Sequence, residues 1–222
     1  MQKGKESRRA FLVKGGKASL AAVGVWLLGN SLTSSLMKKA QPSPTISSKP
    51  QGPKGERVLV AYESRFGSTA EVATFIGQSL IESGEEVDIM KIPQVEDLSP
   101  YRQVIVGSAI QYDKWMPEAR EFVAIHEAEL ATKSTSFFLV CLALSKGTEK
   151  AREQVEGYSA SIKALVPGVK VSHFGKFAGV LDYSKMPWGL KLLALGLFAV
   201  LGVKEGDYRD WDAIAAWAKR LS

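Results

Sequence analysis

The stretch Val58 to Thr69, VLVAYESRFGST, ends in a turn made of hydroxyls, one arginine and one glycine. An apolar run, Val58 to Ala61, stops at Tyr62, and Glu63-Ser64-Arg65-Phe66-Gly67-Ser68-Thr69 leads into a segment with helical periodicity. A strand, a short loop and a helix N-terminus in succession aim backbone N–H groups and hydroxyls at one spot, with the positive end of the helix dipole behind them. Such a loop favours a phosphate, and Arg65 adds a cation suited to it.

Two more loops leave apolar runs in the same way. Ser108, Ala109, Ile110, Gln111 and Tyr112 open the segment that ends Val104–Ile110 (VIVGSAI) and continues to Met116. Tyr112 and Trp115 offer flat surfaces for a flat ligand, although Trp115 equally suits packing on a neighbouring helix. Leu142, Ala143, Leu144 and Ser145 follow the run Phe137–Leu144 (FFLVCLAL) and make a short loop able to close the other side. Other chemistry has little to work with. A single cysteine, Cys141, excludes an intrachain disulfide and sits in an apolar strand, where a core role is expected. With only His126 and His173 besides, a zinc site lacks ligands.

The elements that must position these loops follow a βα rhythm from Arg57 onward. Val58–Tyr62 reads as a strand. Ser68–Ser83 reads as a helix with Val72, Ile76 and Leu80 on one face and Gly84 as its stop. Glu86–Ile92 reads as a more exposed strand ended by Pro93, Val104–Ile110 as a central strand, and Glu118–Leu130 as a helix opened by Pro117. Phe137–Leu144 predicts another buried strand, Thr148–Leu165 a helix, Lys170–Leu181 a fifth strand with its exit, and Tyr208–Leu221 a terminal helix with Trp211, Ile214, Ala218 and Leu221 inward. This order predicts a five-stranded, doubly wound parallel α/β sheet whose ligand lies at the carboxyl ends of the strands.

The loop is neither a P-loop, since no Gly-Lys-Ser/Thr follows Gly67, nor a dinucleotide fingerprint, since only Gly67 is present of the three glycines needed. It resembles the flavodoxins, whose phosphate loop runs Ser/Thr-x-Thr-Gly-x-Thr: Ser64, Gly67, Ser68 and Thr69 fit, while Arg65 and Phe66 depart. Arg65 makes it more similar to the flavodoxin-type, quinone-dependent protoporphyrinogen oxidases. Val106-Gly107-Ser108-Ala109-Ile110-Gln111-Tyr112, Phe177-Ala178-Gly179-Val180-Leu181-Asp182-Tyr183 and Asp210-Trp211 resemble further segments of that family in the same order. The resemblance covers residues 56–221 and implies a flavodoxin-like fold with FMN as cofactor. It places Ser64, Arg65, Phe66, Gly67, Ser68 and Thr69 at the phosphate. Ser108 to Tyr112 and Leu142 to Ser145 would then border the ring. It implies a flavin oxidoreductase passing electrons to a quinone or redox-protein partner. The alternatives are a membrane-tethered electron carrier without its own substrate and an interaction module of the same fold. No acid, base or nucleophile is implied, because a flavin carries the redox chemistry itself.

The 222 residues, 45% hydrophobic and 23% charged, suffice for one domain with an appendage. Much of the net charge of +6 lies in the basic head, so it gives no sign of nucleic-acid binding. Residues 1–40 carry Ser7-Arg8-Arg9-Ala10-Phe11-Leu12, which resembles a twin-arginine export signal, before the uncharged stretch Ala18–Met37. The segment reads as such a signal or as a retained membrane anchor. Residues 41–55, QPSPTISSKPQGPKG, read as a flexible linker. At about 184–206 lies an apolar insertion, Gly189–Val203 (GLKLLALGLFAVLGV), with Lys185, Trp188, Lys191 and Lys204 around it. Too short to span a bilayer, it suits a helix lying in a membrane surface or covering a hydrophobic substrate, or one packed into its own core or a second copy.

Overall fold

The computed structural model describes Ile46–Ser47 and residues 56–222. The signal or anchor expected at 1–40, and all of the expected linker except Ile46 and Ser47, lie outside the described residues.

Chain order runs β1 (Ile46–Ser47), β2 (Arg57–Glu63), α1 (Ser68–Glu82), β3 (Val87–Lys91), β4 (Tyr101–Gln111), β5 (Lys114–Trp115), α2 (Pro117–Ile125), α3 (Glu127–Leu130) and β6 (Ser134–Cys141). It continues with α4 (Glu149–Lys163), β7 (Val171–Ala178), β8 (Val180–Leu181), α5 (Trp188–Leu201), β9 (Gly206–Asp207) and α6 (Trp211–Ala218). The five long strands are parallel in the order β3-β2-β4-β6-β7, with β1 added antiparallel at the β3 edge and β5 folded back on β4. Strand order reverses between β2 and β4, which opens a crevice at their carboxyl ends.

The central strands are continuous apolar runs because both faces are covered. Leu59 and Ala61 of β2 join Val104, Val106, Phe137 and Leu139 in a core under α2, α3 and α4. Val58, Val60 and Tyr62 join Val72, Ile76, Phe138 and Trp217 in a second core under α1 and α6. Gly107 of β4 is required by packing: a Cβ there would stand 1.9 Å from the Phe138 ring. At the opposite end of the sheet from the crevice, Arg57 donates to Asp88 at 2.5 Å and Tyr101 to the same carboxylate at 3.0 Å, all three groups being buried. This network and the β1 pairing explain why β3, expected to be the more exposed strand, has Val87, Asp88 and Ile89 buried.

Two other segments differ from expectation. The single helix expected at Glu118–Leu130 breaks at His126 into α2 and α3. The terminal helix starts three residues after Tyr208, because the Asp210 carboxylate accepts from the Ala213 N–H at 2.9 Å and caps it. The insertion is bracketed by the two-stranded ribbon of β8 and β9. Its helix α5, 14 residues and so about 21 Å long, ends at Gly202, whose φ of 68° closes the last turn. No helix among the described residues is long and apolar enough to cross a membrane.

Candidate functional site

At the end of β2 the loop closes on itself. The Ser64 hydroxyl accepts from the Gly67 N–H at 3.1 Å, and Gly67 adopts φ 94°, a conformation that costs a glycine little. Ser68 and Thr69 then start α1, whose first free N–H groups lie at this turn. The Thr69 hydroxyl is fully buried without a partner. A buried polar group normally finds one, so the position is built for an acceptor the protein itself does not supply. Gly179, just after β7, lies against the same turn: a Cβ on it would be 3.8 Å from the Ser68 hydroxyl and 3.2 Å from Val140.

Arg65 makes its hydrogen bond outside this turn. Its Nη1 donates to the Gln111 Oε1 at 2.9 Å and so ties the β2 loop to the end of β4 across the crevice. Burial pulls the guanidinium below its ordinary value, with Tyr112 and Glu118 opposing that fall. Phe66 is half-buried in the same loop.

The second loop is a two-residue hairpin turn. Tyr112 and Asp113 have φ of 51° and 63°, left-handed values that a tyrosine rarely adopts and an aspartate tolerates, with Gln111 paired to Lys114 and Ile110 to Trp115. Two contacts hold the turn: the Asp113 carboxylate accepts from the Tyr158 hydroxyl and from the Gln154 amide of α4. The Ser108 hydroxyl accepts from the Met116 N–H at 3.1 Å and donates to the Ala109 carbonyl, so it serves the hairpin. Tyr112 is 66% exposed, whereas Trp115 is 1% exposed with its ring 5.2 Å from Phe137. Of the two aromatics expected to offer flat surfaces, Trp115 is thus a core residue. In the third loop Ala143–Lys146 form a 3-10 turn fixed by the Ser145 hydroxyl donating to the Leu142 carbonyl at 2.6 Å. Cys141, ending β6, is buried, and burial pushes its thiol up, which suits a core residue.

Five charged residues near the phosphate loop were not assigned to the site from the sequence. Glu63, buried beneath it, is pushed up by burial against the pull of Lys91, whose Nζ lies 3.1 Å away. Glu71, in the first turn of α1, would repel a phosphate, but Arg209 reaches it at 2.5 Å and Lys185 at 3.4 Å. Lys185 also stands 3.9 Å from where a Gly67 Cβ would be. The insertion therefore brings a cation to the phosphate loop from 114 residues away, a separation at which no local pattern signals it.

A parallel sheet in this order, with a phosphate nest and two further loops at its switch point, defines a flavodoxin-like flavoprotein. A flavodoxin domain model matches residues 59–194, and the chain belongs to the flavodoxin domain family. Its cofactor is FMN, and the residues fit it: the unpartnered Thr69 hydroxyl and the Gly67 turn make a phosphate cradle. Over 173 residues the chain is 24% identical to the protoporphyrinogen IX dehydrogenase [quinone] of Escherichia coli (strain K12), which covers 75% of this chain and 94% of that one. Among solved structures, oxidised flavodoxin 2 from Bacillus cereus is 20% identical with a TM-score of 0.44, covering 66% of this chain and 99% of that one. The rubredoxin oxygen:oxidoreductase of Desulfovibrio gigas is 17% identical with a TM-score of 0.41; 76% of this chain matches 37% of that chain.

Proposed function

We propose that the chain is an FMN-dependent oxidoreductase working at a membrane surface, taking electrons from a porphyrinogen-like substrate and delivering them to a quinone. The observation that carries this reading is the similarity to a quinone-dependent protoporphyrinogen IX dehydrogenase along nearly that protein's whole length. The flavin supplies the redox chemistry when bound. The protein's residues hold and orient it: Ser64, Gly67, Ser68 and Thr69 at the phosphate, and the Arg65–Gln111 bridge, Tyr112 and Leu142–Ser145 beside the ring.

The exposed side of α5 supports the membrane part. Ala194 is buried in a small satellite cluster with Leu181, Tyr183 and Val203, whereas Trp188 is 81%, Leu192 62%, Leu193 56% and Val200 87% exposed. Apolar surface of this kind with lysines at its ends suits the interfacial layer, where a lipid-soluble quinone is found. The N-terminal segment would add a second attachment there.

Anaerobic mixing of the FMN-loaded protein with protoporphyrinogen IX and a quinone tests the reaction. Porphyrin fluorescence is expected to rise above the uncatalysed rate, with equivalent quinol formed; no rise leaves the electron-carrier reading. The double change Leu193→Asp and Leu197→Asp is expected to slow turnover with a long-chain quinone in vesicles and to spare turnover with a short water-soluble one. Equal rates with both quinones would remove the role given to α5.

A further inference from the structure

Between the insertion and the third loop lies an open cavity of about 390 Å³, within the range of small-molecule sites. Leu142 and Ala143 line one side and Phe198 and Val203 the other, which gives it an apolar interior. Its rim is cationic: Lys146 and Lys150 border it together with Thr148, whose hydroxyl caps the N-terminus of α4. Both lysines are exposed, and neither forms an ion pair among the described residues. Two acids of this region are engaged elsewhere: Glu149 pairs with Arg152, and Asp113 is held by Tyr158 and Gln154. Gln154 also lines the cavity, so the space runs from the insertion toward the Tyr112–Asp113 turn.

We propose that this cavity binds a small molecule with an apolar, ring-bearing body and one or more carboxylates. The body lies between Leu142–Ala143 and Phe198–Val203, and the carboxylates meet Lys146, Lys150 and the positive end of α4. Leu142 and Ala143 belong to the loop assigned to the flavin ring, so an occupant here is held beside the cofactor site. The inference rests on the oxidoreductase reading in taking this occupant to be the electron donor. An uncharged quinone would use the apolar walls and gain nothing from the lysines.

The test uses full-length, FMN-loaded protein with two probes in the same detergent, protoporphyrin IX as the free diacid and as its dimethyl ester. Binding is followed by quenching of tryptophan fluorescence. Changing Lys146→Gln and Lys150→Gln together is expected to raise the Kd for the diacid about tenfold. The Kd for the ester and the FMN content should stay unchanged, and Glu at both positions should weaken the diacid further. An unchanged diacid Kd, or equal losses for diacid and ester, would overturn the inference. The two readings fail separately. Lysine-dependent diacid binding without oxidation of protoporphyrinogen sinks the reaction and keeps the site. Oxidation with the same KM in the double variant sinks the site and keeps the reaction.

Discussion

Arg65 Nη1 and Gln111 Oε1 stand 2.9 Å apart and join the two loops that flank the reversal point of the sheet. The residue that distinguishes this phosphate loop from ordinary flavodoxin loops thus spans the crevice. Its half-buried guanidinium is anchored there by a neutral amide. Replacing Arg65 with Met is expected to weaken FMN binding at least about tenfold, the size of one charge-assisted hydrogen bond. Arg65→Lys should recover only part of that loss, since an ammonium cannot serve Gln111 and the flavin at once. Flavin fluorescence titration measures both; a Kd within twofold of wild type for Arg65→Met would leave Arg65 a structural bridge only.

Thr69 gives a prediction with opposite signs in the two states. Thr69→Val keeps the shape and the branched Cβ but removes a buried hydroxyl that has no protein partner. The FMN-free protein should be as stable as wild type or more so, by up to about 1 kcal/mol, while FMN affinity falls by about tenfold. Thermal melts with and without FMN read the two effects, and a less stable flavin-free variant would contradict the cradle.

The Glu71 cluster predicts a pH dependence. Partial burial pushes the Glu71 carboxyl up, but the hydrogen bond and charge of Arg209 and the charge of Lys185 outweigh it, so the group ends below its ordinary value. A carboxyl depressed by folding adds stability above its unfolded pKa and loses it as pH falls through the folded one. Glu71→Gln should therefore lower Tm near pH 7 and match wild type once the pH drops well below about 4. The difference should be small, under about 1 kcal/mol, because the side chain is 47% exposed. A Tm gap that widened toward low pH would refute the assignment.

Two glycines should respond oppositely to alanine. Gly107→Ala forces a methyl into the Phe138 ring and is expected to cost about 2–3 kcal/mol, or roughly 5–10 °C in Tm. Gly157, in the exposed part of α4 with nothing within 4 Å of a Cβ, should gain about 0.5–1 kcal/mol. Chemical denaturation of the two variants checks the pair.

Much of the fold was legible because burial on both faces writes itself into composition. Val58–Tyr62, Val104–Ile110 and Phe137–Cys141 are apolar without alternation, and they are the strands of the central sheet. The turn after β2 was legible for a local reason: Ser64 and Gly67 bond three residues apart, and Thr69 follows two residues on. The break at His126 was not, since Glu118–Leu130 has an even helical pattern with no Gly or Pro to mark an interruption.

The sequence by itself determined the layer architecture and the turn of hydroxyls and glycine that follows the first central strand, because these depend on periodicity and neighbouring residues. Tertiary structure alone decided which long-range partners meet. It sent Arg65 to Gln111, buried Trp115 against Phe137 and left Tyr112 outside, and brought Lys185 and Arg209 to Glu71. A side chain's direction and partner are set by the strand order and the packing of the insertion, and those contacts join residues that no local window contains.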